Sequence, residues 1–178
     1  VKRKTKDGVD IKYRERFKSQ EEVLIANFLF RNNIEYKYEE SYQYKTASKK
    51  FGQYKPDFYL PEYNIYIEHF GIDENNNVPS WFKGKEGISA KQVYNDGIAW
   101  KRNEHQYNGT TLVETYSWEQ KKGVLLSSLK NKLEEKGVEF NPMSDDELWD
   151  YIQENTPEDI DTFTQLLNTF LVLFKSNN

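Results

Sequence analysis

The chain has 178 residues, 37% of them hydrophobic, which suits one packed core with extensions and is too little for two ordinary domains. It has no cysteine and only two histidines, which excludes a disulfide scaffold, a thiolate zinc site and a histidine-rich metal site, and leaves a hard cation held by oxygen as the open metal chemistry. The net charge of -4 gives nucleic acid no overall attraction, but it averages over opposed ends: residues 1–18 carry eight basic against three acidic side chains, residues 139–161 carry nine acidic and no basic ones, and the body between them balances.

No run approaches the roughly 18 apolar residues that a bilayer span needs, and no apolar core follows the charged N-terminus, so a cytoplasmic protein with no membrane partner is expected. The start at Val1 rather than Met suggests a segment of a longer protein. Residues 1–18 are a basic connector, either solvated or in contact with a phosphate backbone. Ser19 with Glu22 forms a capping box ahead of Val23, Leu24, Ile25, Ala26, Phe28 and Leu29, which predicts a helix over 20–31 ended by Asn32 and Asn33. Ile34, Tyr36 and Tyr38 alternate with Glu35, Lys37 and Glu39, the period-two pattern of a strand with one buried face. Tyr54 to Leu60 and Ile65 to Phe70 are two further strands joined by a turn over Pro61 to Asn64. The Asn-, Gly- and Pro-rich stretch 71–87 reads as a loop. A helix over 89–107, a strand over Thr110 to Tyr116 and a helix over 118–136, stopped by Gly137, complete a core domain at 19–136. Beyond it, residues 137–178 form an acidic linker and helical extension. A short helix is expected near Asp145 to Glu154. An apolar stripe follows over Asp159 to Lys175, with Phe163, Leu166, Phe170 and Phe174 to be covered by this core or by a neighbouring domain.

The chemistry lies in the hairpin. Asp57 in Lys55-Pro56-Asp57-Phe58-Tyr59-Leu60 and Glu68 in Ile65-Tyr66-Ile67-Glu68-His69-Phe70 are carboxylates set among apolar and aromatic neighbours, where a charge is costly unless paired, hydrogen-bonded or bound to a cation. Across a tight hairpin the two can share a face, and a divalent ion would relieve the repulsion between them. The plainer alternative is that each sits on the polar face of its strand. On the following helix, Tyr94, Ile98, Lys101 and His105 fall within an arc of roughly 60° at 100° per residue. Lys101 is then either a site cation or a snorkelling lysine, and His105 either a ligand-facing or a core histidine. Glu22 is already explained by its capping box.

Pro56-Asp57, then Glu68 on the next strand within an αβββαβ order, resembles the PD-(D/E)XK nucleases. More narrowly, Ser19-Gln20-Glu21-Glu22-Val23, Ile25-Ala26-Asn27-Phe28-Leu29, Pro56-Asp57-Phe58-Tyr59-Leu60, Tyr66-Ile67-Glu68-His69-Phe70-Gly71, Trp100-Lys101-Arg102, His105 and Glu114-Thr115-Tyr116 together resemble the nuclease-like insertion of bacterial UvrD-like superfamily 1 DNA helicases, over about residues 17–136. The resemblance implies an α/β restriction-endonuclease-like core, a central mixed sheet flanked by helices, and Mg2+ (or Mn2+)-dependent hydrolysis of phosphodiester bonds in DNA. Under it Asp57, Glu68 and the backbone carbonyl of His69 hold the metal, Lys101 and Glu22 assist catalysis, and His105 and Tyr94 contact the substrate. The partners implied are DNA and the rest of a parent helicase chain, which the segment after residue 137 would rejoin. The family's lysine two positions beyond the second acid is replaced by Phe70, a departure for which Lys101 would have to compensate. A module that only binds or steers DNA, or a protein-interaction module, are the alternatives. There is no Walker A sequence, so no ATP hydrolysis is expected of this stretch.

Overall fold

The computed structural model describes residues 17–48, 52–85 and 87–155. The basic stretch up to residue 16 and the apolar stretch Asp159 to Lys175 lie outside the described residues. Helix α1 (Gln20–Arg31) starts where the sequence places it: the Ser19 hydroxyl accepts from the Glu22 amide at 3.1 Å, and Asn32 ends the helix with its side-chain amide on the Phe28 carbonyl at 2.7 Å. The strands are β1 (Lys37–Tyr38), β2 (Phe58–Leu60), β3 (Ile65–Phe70) and β4 (Thr111–Tyr116). They lie in the order β1-β2-β3-β4, the first two pairings antiparallel and the third parallel. A parallel neighbour needs a crossover, and α2 (Ala90–Asn108) supplies it between β3 and β4. The architecture is therefore α/β, a four-stranded mixed sheet flanked by helices.

Two expected strands shorten. Only Lys37 and Tyr38 of the first pair with β2, and of the run from Tyr54 only Phe58 to Leu60 is strand. Pro56 has no amide hydrogen to offer a ladder, so pairing begins beyond it. The helix expected over 118–136 is two helices, α3 (Ser117–Lys121) and α4 (Leu125–Glu134), separated at Gly123, whose φ of 71° is left-handed and breaks the helical path.

Each face of the sheet has its own partner. Ile25 and Leu29 of α1 and Leu125, Leu129 and Leu133 of α4 pack with Phe58, Leu60, Ile65, Ile67 and Val113 in the main core. On the other face Tyr66, Tyr42 and Tyr54 form an aromatic cluster with Trp100 of α2, and Phe70 packs with Ile98. Because side chains alternate along a strand, Glu68 shares the α2 face with Tyr66 and Phe70. These elements belong to one compact unit ending at Asn141. In the separate segment from Pro142, α5 (Asp145–Asn155) begins with a reciprocal cap: Ser144 and Glu147 each bond the other's backbone amide, at 3.2 and 2.8 Å. No helix among the described residues is long and apolar enough to cross a membrane.

Candidate active site

The hairpin register brings the two acids together. Phe58 pairs with Ile67, so Asp57, one step before β2, stands opposite Glu68 and on the same face. Asp57 is 9% exposed, and one of its carboxylate oxygens accepts the His69 amide at 2.8 Å. Glu68 is 0% exposed, and its two oxygens take different partners: Oε1 accepts the Tyr54 hydroxyl at 2.7 Å, and Oε2 is ion-paired with Lys101 Nζ. The same Nζ stands 5.5 Å from the Phe70 ring centroid and 5.7 Å from that of Tyr54. Lys101 of α2 thus seats its ammonium over Phe70, the position at which the resemblance expects a lysine. Two buried acids against one ammonium leave negative charge uncompensated. Burial first, and the Glu68 charge second, push the Asp57 carboxyl up to about 8, with Lys101 and the His69 N–H pulling the other way.

Behind Glu68 runs a chain of interior hydrogen bonds. Burial and the neighbouring Glu68 charge raise the Tyr54 phenol well above its ordinary range, so it stays protonated and donates to Glu68. Its oxygen is then the acceptor for His105 Nε2–H at 3.1 Å, which assigns the His105 tautomer and leaves Nδ1 to accept from Thr110 at 2.7 Å. Tyr42 closes the chain on Thr110 at 2.5 Å. The expected contact between His105 and a phosphate is not supplied by this arrangement: the ring is 2% exposed, both nitrogens are bonded inside, and burial lowers its pKa to about 4. Its role is to orient Tyr54 and, through it, Glu68.

A cavity of about 780 Å³ opens beside the acids, lined by Asp57, His69, Lys101, Glu22 and Tyr94 among others, while Glu68 is sealed behind Lys101. Glu22 combines two duties. The expected capping box forms only in part: the Glu22 side chain accepts the Ser19 hydroxyl at 3.1 Å rather than the Ser19 amide, and it also accepts the Tyr38 hydroxyl at 2.5 Å and the Lys18 amide at 3.1 Å. Tyr94 holds the strand end by accepting the Gly71 amide at 2.8 Å. The His69 ring bonds Thr115 at 2.9 Å, and burial lowers its pKa. Of the predicted set, then, Asp57, Glu22, His69, Lys101 and Tyr94 share the cavity wall, Glu68 is reached through Lys101, and His105 lies behind.

Sequence reasoning missed Tyr54, which reads as one more aromatic among many, and Glu119. The latter is buried, accepting Ser128 and Lys132 at 2.6 Å each and the Tyr116 amide at 2.8 Å, where it braces α3 against α4.

Among the described residues no three His, Asp or Glu side chains converge as a ready-made metal shell. Magnesium characteristically takes one or two carboxylates and completes its shell with water and substrate oxygens. The donor set here, Asp57 once it releases its proton and Glu68 once Lys101 yields Oε2, fits that chemistry. Compared with protein-family models, curated proteins and solved structures, the chain matches none.

Proposed function

We propose that this chain is a metal-dependent deoxyribonuclease domain of the PD-(D/E)XK class, with a restriction-endonuclease-like core, acting within a UvrD-like DNA helicase. The observation that carries this reading is the meeting of Asp57, Glu68 and Lys101 on one sheet face beside an open cavity: two acids from a hairpin and one cation from the next helix. Asp57, Glu68 and a backbone oxygen at His69 would hold Mg2+ or Mn2+. When bound, the metal supplies a lowered pKa for its water and neutralises charge developing at phosphorus. Lys101, released from Glu68, offers its ammonium to the attacking water or to a phosphate oxygen. Tyr54, held by His105, keeps the Glu68 carboxylate aimed while its other oxygen changes partner. Glu22, on the cavity wall, orients water at the rim.

A second reading has its own support. Glu68 is fully covered and Phe70 stands at the lysine position, which favours a module that binds or steers DNA without cutting it. Incubation of the full chain with linear and branched DNA in magnesium, in manganese and in EDTA, beside the Asp57→Asn, Glu68→Gln double variant, separates the two. The nuclease reading expects metal-dependent cleavage that falls to background in the double variant, with saturable magnesium binding lost in Asp57→Asn. DNA binding with neither cleavage nor magnesium binding supports the second reading and removes the first.

A further inference from the structure

Part of the cavity wall is aromatic. Trp81, Phe82 and Tyr94 form a run of edge-on rings, with centroids 6.2 Å apart for the first pair and 5.0 Å for the second. Trp81 is 74% exposed, although a tryptophan left in water gives up more apolar burial than almost any other residue. Gly97, near the middle of α2, lines the same cavity. A glycine there costs helix stability relative to alanine, and no packing neighbour requires it: a Cβ added at Gly97 would meet no protein atom within 4 Å. The missing side chain enlarges only the cavity. Lys18, Lys101 and Lys121 also line it, beside Glu21, Glu22, Asp57 and Asp73; Lys18 is paired with Glu39 and Lys101 with Glu68, so Lys101 meets a phosphate only when it leaves Glu68. Of the acids beside them, Asp73 is occupied by the Asn75 amide and by the Asn77 amide and side chain.

We propose that this cavity receives an unpaired nucleobase, so that the substrate class is single-stranded DNA, with the base stacked on the exposed Trp81 and accommodated over Gly97 while its phosphate faces Lys101. Duplex DNA keeps its base faces stacked internally and offers only its edges and backbone, so an exposed ring beside a recess gains nothing from it. An unpaired strand offers a π-face to each ring, and aromatic stacking is sequence-tolerant. The assignment deepens the nuclease reading and rests on it for the direction of the phosphate, while base capture itself does not need the metal.

The test is binding of a fluorescent single-stranded oligonucleotide and of the matching hairpin duplex to the full chain in EDTA, comparing wild type, Trp81→Ala and Gly97→Leu, with cleavage assayed separately in magnesium. The expected result is preference for the single strand, a loss of about tenfold or more in its affinity on Trp81→Ala, a comparable loss on Gly97→Leu with the circular dichroism of the wild type, and unchanged duplex binding in both. Equal affinity for strand and duplex, or single-strand affinity indifferent to both substitutions, overturns the inference. Trp81-dependent strand binding without cleavage leaves it standing and removes the nuclease reading. Cleavage without strand preference does the reverse.

Discussion

Lys101 is the residue on which the site turns, because among the described residues it is the side chain ion-paired with the fully buried Glu68. Removing one member of a buried ion pair leaves the other as an uncompensated charge, at a cost of roughly 3–5 kcal/mol. Lys101→Met should therefore lower stability in urea unfolding, by less than that range because the Lys101 side chain is 29% exposed and water can enter where it stood, and adding Glu68→Gln should restore most of it. If the single substitution is neutral, the ammonium is not what holds Glu68 in the interior, and the exchange of lysine for metal has no basis. The acids themselves were legible in the sequence, since a carboxylate among Phe, Tyr, Ile and Leu on a short strand stands out against its neighbours. Tyr54 was not, because the direction of a phenol hydroxyl is set by Glu68 and His105, which are 14 and 51 residues away in the chain. Lys101 and His105 were placed correctly on one helical face, yet periodicity alone could not tell that the lysine reaches the cavity and the histidine does not.

At the scale of elements, the helices and β3 followed from local signals: a capping serine, a run of apolar periodicity, a closing Asn or Gly. Strands β1 and β2 were overestimated, because β-prone residues such as Ile34 and Tyr54 are buried, and Tyr36 partly buried, without entering a ladder, and burial rather than pairing shaped their composition. The break between α3 and α4 was also hidden, since Gly123 inside an apolar pattern can be tolerated or can terminate. Gly123 and Gly97 now carry opposite expectations. Gly123→Ala forces a Cβ into left-handed backbone and should cost about 1 kcal/mol. Gly97→Ala, in helical backbone with open space around it, should stabilise by about 0.5–1 kcal/mol. Chemical denaturation of the two variants measures both. A destabilising Gly97→Ala would mean that α2 needs the glycine for itself, and the cavity would lose its claim on that position.

Across the whole molecule the uncompensated acid should be visible in the dependence of stability on pH. The folded Asp57 keeps its proton up to about 8, whereas in the unfolded chain the same carboxyl releases it near 3.8, so between those values the fold binds more protons and loses stability as pH rises. His105 acts in the opposite sense. Neutral in the fold down to about 4 and protonated in the unfolded chain below 6.5, it makes stability rise with pH over that window, and the lowered His69 adds to it. Glu114, which burial works to raise but which hydrogen bonds from Arg102 and Tyr116 and the Arg102 charge lower on balance, contributes only below its ordinary 4.5. The opposing effects largely offset each other up to pH 6.5, and beyond it Asp57 acts alone. Metal-free protein should accordingly lose up to about 2 kcal/mol between pH 6.5 and 8, at about 1.36 kcal/mol for each pH unit. Magnesium bound at Asp57 favours the ionised carboxylate and should flatten that decline, and Asp57→Asn should flatten it with no metal present. A metal-free protein whose stability is level or rising across this range would mean that Lys101 and the His69 amide already satisfy both acids, and the physical need for a cation at this hairpin would be gone.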